Sequence, residues 1–326
     1  MHDVAQAAGV SLKTVSRVVN DEAGVRPATA AQVRGAIERL GFRPNVVARS
    51  LRRGAAASTV GLVIGDVSNP FYSAIARAVE DRAANEPHLL IIGSTEEDPR
   101  RERSLVATLL ARGVEGLLIV PAGRDHATLA ADLPADLPVV FLDRPPVGLD
   151  ADAVLFDNAA GARAAVEWLL DRGHRRIAIV GDAPTMWTAQ ERHAGYVAAL
   201  RGRGLEPDPA LVRLYPHDAD AAEKAMLGLL NGPRPPGAVF STNNRMTIGV
   251  LHALCATGAR LDVVGFDDFE TADLLGISTV AADPVDMGAR AADLLFGRLA
   301  GDHGPHRRIV LPATLVPREG PAGGRT

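Results

Sequence analysis

Two sets of residues have the types and spacing to do chemistry. The first lies in Asp3 to Asn20, DVAQAAGVSLKTVSRVVN. There Leu12, Lys13, Ser16, Arg17 and Asn20 face outward from a helix whose Val15, Val18 and Val19, at i, i+3 and i+4, form an apolar stripe. A basic, hydroxylated face of this kind suits a DNA major groove. The second set follows apolar runs: Asp66, Ser68, Asn69, Asp143, Arg144, Arg192, Asn243 and Asp267, with Phe71, Tyr72 and Trp187 as apolar walls. Carboxylate, amide and guanidinium groups around aromatic faces are how polyol rings are usually held. Plainer readings stand beside both. The first stretch could be a helical hairpin with Lys13 and Arg17 on a solvated face. In the second, Asn69 and Asn244 could be turn or helix-cap residues, Asp268 structural, and Tyr72 core.

The first set needs a small helical scaffold. Val4, Ala5 and Ala8 give a first helix its apolar face, Gly9 makes the turn, and Ser11 can cap the second helix. After a DEAG loop, Pro27 suits the first turn of a third helix. Val33, Ile37 and Leu40 would close a three-helix core, with Gly41 as the stop. Next comes RPNVVARSLRRGAAAST. Val46, Val47, Ala48 and Leu51 could make one or two helical turns that order on DNA or against a second copy, or the piece could be plain linker.

The second set needs strand ends. From Val60 onward apolar strands alternate with amphipathic helices, the pattern of doubly wound parallel sheets. Two such series, 58 to about 158 and about 175 to 280, imply two similar lobes facing across a cleft. Ligands in this architecture bind beyond the C-terminal strand ends. The tail from about Arg318, REGPAGGRT, reads as disordered. The expected division is 1–43 helix-turn-helix, 44–57 hinge and linker, 58–318 two-lobed ligand-binding and dimerisation domain, and 319–326 tail.

Composition narrows the function classes. Residues 1–57 carry nine Lys or Arg against four acids, while the remainder carries 26 against 35. A basic head on an acidic body fits a DNA-binding module joined to something else. The single Cys255, in an apolar helical run, reads as core filler and fits a reducing cytoplasm. No apolar run reaches the roughly 20 residues that span a bilayer, and the N-terminus has no signal-peptide pattern. No phosphate-binding GxxxxGK[ST], no GxGxxG after the first strand, no GxSxG and no His/Cys cluster at metal-ligand spacing is present. No catalytic residue, metal or cofactor is therefore expected. An enzyme, or a solute-binding protein for uptake, on the same two-lobed body is the alternative. Neither accounts for residues 1–57.

The order of the motifs DVAQAAGVS–x2–TVSRVVN, GFRPNVVARSL, GLVIGDVSNPF, FLDR, DNAAGA, STNNRMTIG, VVGFDD and LPATLVPRE resembles the LacI–GalR family of bacterial transcription regulators, from residue 2 to about 318. The resemblance implies an N-terminal all-α helix-turn-helix headpiece and an α/β periplasmic-binding-protein-like core of two doubly wound parallel-sheet lobes. It implies a cytoplasmic repressor, a homodimer on near-palindromic operator DNA, controlled by a small polar effector such as a sugar. Leu12 and Lys13 would discriminate operators and Arg17 would reach a guanine edge. Thr14, Ser16 and Asn20 would mostly hold phosphates. Asn45 would start a segment in which Ala48–Leu51 form the hinge helix, with Leu51 wedged in the minor groove between Arg49 and Arg52. Asp143, Arg192, Asn243 and Asp267 match positions that hydrogen-bond sugar hydroxyls, beside Asn69, Phe71, Arg144 and Trp187. Asp283 stands where sugar-binding relatives often have Gln, and His217 falls near a position often aromatic. Both suggest a ligand unlike the best-known sugars. Family members also carry a Thr or Ser a few residues before the position of Asp3, for which Met1 and His2 leave no room. Either the true start lies upstream or the headpiece is less stable than usual, a lost cap costing about 1 kcal/mol.

Overall fold

The computed structural model describes residues 1–19, 24–40, 58–84, 88–123, 126–215 and 218–318. The chain divides into two compact units, Met1–Ser58 and Thr59–Thr326.

In the first unit the described helices are α1 (His2–Ala7), α2 (Leu12–Val19) and α3 (Pro27–Arg39). Their apolar stripes meet in one small core, in which Val4, Ala8, Val15, Val33 and Ala36 are sealed from solvent. Gly9 turns the chain between α1 and α2 at φ 61°, a left-handed conformation that costs glycine little. Pro27 opens α3, where its missing N–H is not needed. Leu40 does not join the core. It lies just past the last helical residue and is 50% exposed, and Ala36 packs beside Val33 instead. Gly41 and the hinge residues Asn45, Ala48, Arg49, Leu51 and Arg52 lie outside the described residues, as does Asn20.

The second unit holds two sheets of one plan. The first orders its strands β11-β5-β4-β3-β1-β2 and the second β12-β10-β9-β8-β6-β7. In the first sheet these are β1 (Ser58–Ile64), β2 (His88–Ser94), β3 (Gly116–Ile119), β4 (Val139–Leu142), β5 (Asp152–Phe156) and β11 (Arg308–Leu311). In the second they are β6 (Ile177–Val180), β7 (Val212–Arg213), β8 (Ala238–Ser241), β9 (Asp262–Phe266), β10 (Ser278–Ala282) and β12 (Ala313–Val316). Runs such as Leu62–Ile64 and Ile177–Val180 are buried on both faces, as parallel strands under helices must be. In each sheet the order reverses at the first strand, β1 or β6, the switch point where ligands bind.

The lobes are not two consecutive series. After β5 the chain crosses at Asp157, and helix α7 (Asn158–Asp171) packs on the second sheet. After β10 it crosses back at Asp283, and α12 (Pro284–Leu299) covers the first sheet beside α4 (Pro70–Ala83). It crosses a third time at Pro312, between β11 and β12. The other helices that position the cleft are α5 (Pro99–Ala111), α8 (Trp187–Gly202), α9 (Ala219–Leu230) and α10 (Asn244–Thr257), with short α6 (Ala127–Asp132) and α11 (Ala272–Leu275).

Two further expectations fail. Cys255 is exposed on α10 rather than in the core. Arg318 does not begin a loose tail. Its Nη1 donates to Thr279 Oγ1 at 2.6 Å, its Nη2 to Asp268 Oδ2 at 2.9 Å, and its backbone N–H to Ser278 Oγ at 2.9 Å. Asp268, which also accepts from Thr279 Oγ1 at 2.7 Å, is thereby a structural carboxylate. The tail 319–326 lies outside the described residues.

Candidate functional site

In the first unit α2 presents the polar set. Ser11 Oγ accepts the Thr14 N–H at 3.1 Å and lies 2.9 Å from the Thr14 hydroxyl, so a side chain meets one of the free donors at the start of α2. Val15 and Val18 turn inward, while Leu12 (39% exposed) and Lys13 face solvent. Thr14, Ser16 and Arg17 are half-buried along the flank. At the start of α1, Met1 is the N-cap and makes no side-chain cap bond.

In the second unit the strand ends of both sheets converge on a cavity of about 770 Å³. Of the sequence-derived ligand residues, Asn69, Phe71, Asp143, Arg144, Arg192, Asn243 and Asp267 line it. Three do not. Trp187, the first residue of α8, packs its ring against the apolar cluster of the first lobe that includes Phe141 and Leu155. Asp283 is exposed at the N-cap of α12, where its Oδ1 accepts the N–H groups of Val285 (2.9 Å) and Asp286 (3.1 Å). Its carboxylate is spent on the helix start. His217 lies outside the described residues.

Asp143 and Asp267 occupy the same place in the two lobes, directly after β4 and β9, and both have φ 65°. This left-handed turn is sterically costly for a residue with a Cβ and is best tolerated by Asn and Asp. Both are buried, and the Oδ1 of each has no hydrogen-bond partner. Burial pushes both carboxyls up, that of Asp267 to about 6, against the pull of Arg192. Arg192 is itself buried. Its Nε donates to Asn158 Oδ1 at 2.7 Å and its Nη1 to the Thr242 carbonyl. Its guanidinium lies 3.7 Å from the centre of the Phe266 ring, and Nη2 stands 3.8 Å from Asp267 Oδ1.

On the first lobe Arg144 forks onto Glu97, Nη2 to Oε1 at 2.9 Å and Nη1 to Oε2 at 2.5 Å, and donates to Tyr72 Oη at 3.2 Å. Tyr72 is therefore a cleft residue as well as a core one. Across the mouth, Asn244 Nδ2 of α10 donates to Asn69 Oδ1 at 2.8 Å. Its neighbour Arg245 pairs with Asp66 and donates to Ser68 Oγ at 3.0 Å. Asn69 caps its helix, accepting from Phe71 N–H, and also lines the cavity; Asn244 is the first residue of α10, whose N-cap is Asn243, accepting from Met246 N–H.

Sequence reasoning missed Glu96, Glu97, Asp182 and Arg245, which line the cleft. Asp182 had a signal. It follows β6 in IVGD as Asp66 follows β1 in VIGD, the same strand end in each lobe. Asn243 Nδ2 donates to Asp182 Oδ2 at 2.5 Å, and burial pushes the Asp182 carboxyl up.

One consequence concerns stability. Because burial raises Asp267 from 3.8 to about 6, its contribution to stability is present below pH 3.8 and lost as pH rises through 6. That change is on the order of 3 kcal/mol. Asp267→Asn is expected to raise the melting temperature of the ligand-free protein by several degrees at pH 7.5, the gain vanishing near pH 4. A variant melting below wild type at pH 7.5 would show instead that Asp267 is a stabilising anion.

Among the described residues no helix is long and apolar enough to cross a membrane, and no cluster of His, Cys, Asp or Glu is arranged to hold a metal ion.

Comparison with known proteins gives one answer along the whole chain. The family model for bacterial regulatory proteins of the lacI family matches residues 1–45, and that for a periplasmic binding protein-like domain matches residues 166–320. The ribose operon repressor of Escherichia coli K12 is 31% identical over 326 residues, 98% of each chain. The transcriptional regulator PtxS of Pseudomonas aeruginosa is 34% identical over 333 residues, 98% of this chain and 94% of that one. Among solved structures, the Lac repressor bound to ONPG in its repressed state matches with TM-score 0.82 and 28% identity over 97% of both chains. A complex of the transcriptional regulator CelR with cellobiose matches with TM-score 0.71 and 31% identity over 98% of both.

Proposed function

The chain belongs to the LacI family of bacterial regulatory proteins and is a DNA-binding transcription regulator; on that footing we propose that it is a cytoplasmic repressor whose operator affinity is set by a small polyhydroxylated effector held in the cleft. One observation carries the effector half: side chains from both lobes converge on a single cavity with two buried carboxylate oxygens left without partners. Asp143, Arg192, Asn243 and Asp267 take the effector's hydroxyls, and Phe71 walls one side. The body performs no catalysis.

The coupling is linkage. An effector that binds one lobe angle better than another shifts the population toward that angle. The contacts of Asn244 and Arg245 with Asn69, Asp66 and Ser68 exist only while the lobes stand this close. The segment Asn45–Arg52 passes the lobe angle to the headpiece.

A single headpiece reads a half-site, so the working unit is a homodimer on a near-palindrome. Support comes from exposed apolar residues that a monomer would leave wet: Leu89 (61%) and Ile92 (41%) on the edge strand β2, and Leu274 (78%) with Leu275 (44%) on α11.

Selection from random DNA with purified protein, at a fixed moderate salt concentration, is expected to enrich a near-palindrome. Lys13→Ala should relax the preference at one base pair per half-site. Arg17→Ala should weaken the selected site by about 10- to 100-fold and nonspecific DNA far less, since a bidentate base contact is worth about 1–3 kcal/mol. Equal losses on specific and random DNA would demote Arg17 to a phosphate contact. No enrichment at all would remove the regulator's operator from the proposal.

A further inference from the structure

The charges of the cleft do not balance, and which of them are already paired decides what the cavity lacks. Arg245 is matched by Asp66, and Arg144 by the bidentate Glu97. Glu96 is matched from outside the cavity by Arg101 at 2.5 Å. What remains is an excess of acid: Glu97, Asp143, Asp182 and Asp267 share two guanidiniums, that of Arg144, whose Nε also stands 3.6 Å from Asp143 Oδ2, and that of Arg192. The Arg192 guanidinium is itself spread over two neutral acceptors, Asn158 Oδ1 and the Thr242 carbonyl, and stands no closer than 3.8 Å to Asp267. Asp143 is 4% and Asp267 7% exposed, and neither Oδ1 has a hydrogen-bond partner.

Buried carboxylates in excess of their counter-charges cost several kcal/mol, and here Asp143 and Asp182 oppose the charge of Asp267 as well. An alcohol can donate to these oxygens, but it leaves the excess charge in place. An ammonium group brings three donors and the missing charge together. A carboxylate or phosphate on the ligand would add to the repulsion instead. The cavity is thus selective by charge before any hydroxyl is read.

We propose that the effector is a polyhydroxylated ring bearing a protonated amine, with neutral sugars as weaker ligands and sugar acids and sugar phosphates excluded. This rests on the cleft being the effector site proposed above. Asp182 gains a specific role in it. It projects from the second lobe beside Asn243 and completes the acidic trio, so it distinguishes amine from hydroxyl rather than recognising the ring as such.

The test uses full-length protein at pH 7.5 and matched probes: glucose, galactose and mannose, their 2-amino-2-deoxy counterparts, and the corresponding hexuronic acids. Binding is read by calorimetry and thermal shift. In whichever set binds, the amine is expected to bind about 10- to 100-fold more tightly than its neutral parent, the range of a charge-assisted hydrogen bond, and the acid to give no shift. Asp182→Asn should bring the amine-to-parent ratio toward one while the neutral parent still binds. A neutral parent or an acid that equals or exceeds its amine overturns the inference and leaves the effector site standing. Silence from every member of every set counts against the cleft as a sugar-type effector site and takes the inference down with it.

Discussion

Arg192→Ala leaves operator binding within about threefold of wild type and removes the effector's influence on it. The separation is expected because Arg192 lies wholly within the second unit, whereas the DNA-reading helix α2 belongs to the first. Its guanidinium holds five things in register: Asn158, the Thr242 carbonyl, the Phe266 face, Asp267 and, through them, the floor of the cavity. Truncation leaves Asp143, Asp182 and Asp267 with Arg144, 3.6 Å from Asp143, as their one cavity cation, and leaves two acceptors without the donors they had. Losing one partner of a buried pair costs about 3–5 kcal/mol of stability, and each charge-assisted hydrogen bond lost to the effector costs about 1.5–3 kcal/mol, or about 10- to 100-fold in affinity. Arg192→Lys should fail nearly as badly, because a single ammonium cannot span Asn158 and Thr242 together. Operator titrations with and without effector, alongside a circular-dichroism melt, separate a lost response from a lost fold. A normal effector response in a folded Arg192→Ala protein would move the site elsewhere.

Gly195→Ala is expected to damage the cleft without adding any group to it. Gly195 sits on α8 one turn after Arg192. A Cβ there would lie 2.3 Å from the Ala159 carbonyl oxygen of α7, which is backbone and cannot step aside. The two helices must separate, at a cost of about 1–3 kcal/mol for overpacking and more if the core follows. Separation also draws Asn158, at the start of α7, away from Arg192 Nε. The variant should therefore melt several degrees lower and bind effector more weakly, while Gly202→Ala on the same helix, which meets nothing within 4 Å, changes neither. A Gly195→Ala protein of wild-type stability would mean the helices are not in this close contact in solution.

Much of this was legible in the chain, for identifiable reasons. Buried parallel strands are unbroken apolar runs, so GLVIGDV and VVGFDD declare both the strand and the polar residue at its end. The valine stripe of α2 declares its own inner face. What stayed hidden depends on contacts between distant segments. Asp283 and Asn243 look alike as polar residues at helix starts, yet one carboxylate is used up on α12 and the other side chain also reaches Asp182. Trp187 reads as a cleft wall because it neighbours Arg192 in sequence, but its ring finds a larger apolar surface in the first lobe. β11 and β12 were missed because Pro312 splits them into two short pieces that lie in different sheets.

The threading of the second unit also governs how the chain can fold as it is made. The headpiece needs only neighbours along the first forty residues, and such local contacts form quickly. The first sheet waits. Its strand β5 pairs with β11, and the helix covering β3 and β4 is α12, both delivered after the entire second sheet except β12. At about 5–20 residues per second, β1 emerges on the order of 10–50 s before the pieces that complete its lobe. For that interval Leu118, Val140, Leu142 and Val154 belong to an unfinished layer, so synthesis at elevated temperature or without chaperones should lose this protein through its ligand-binding body while headpiece fragments still fold.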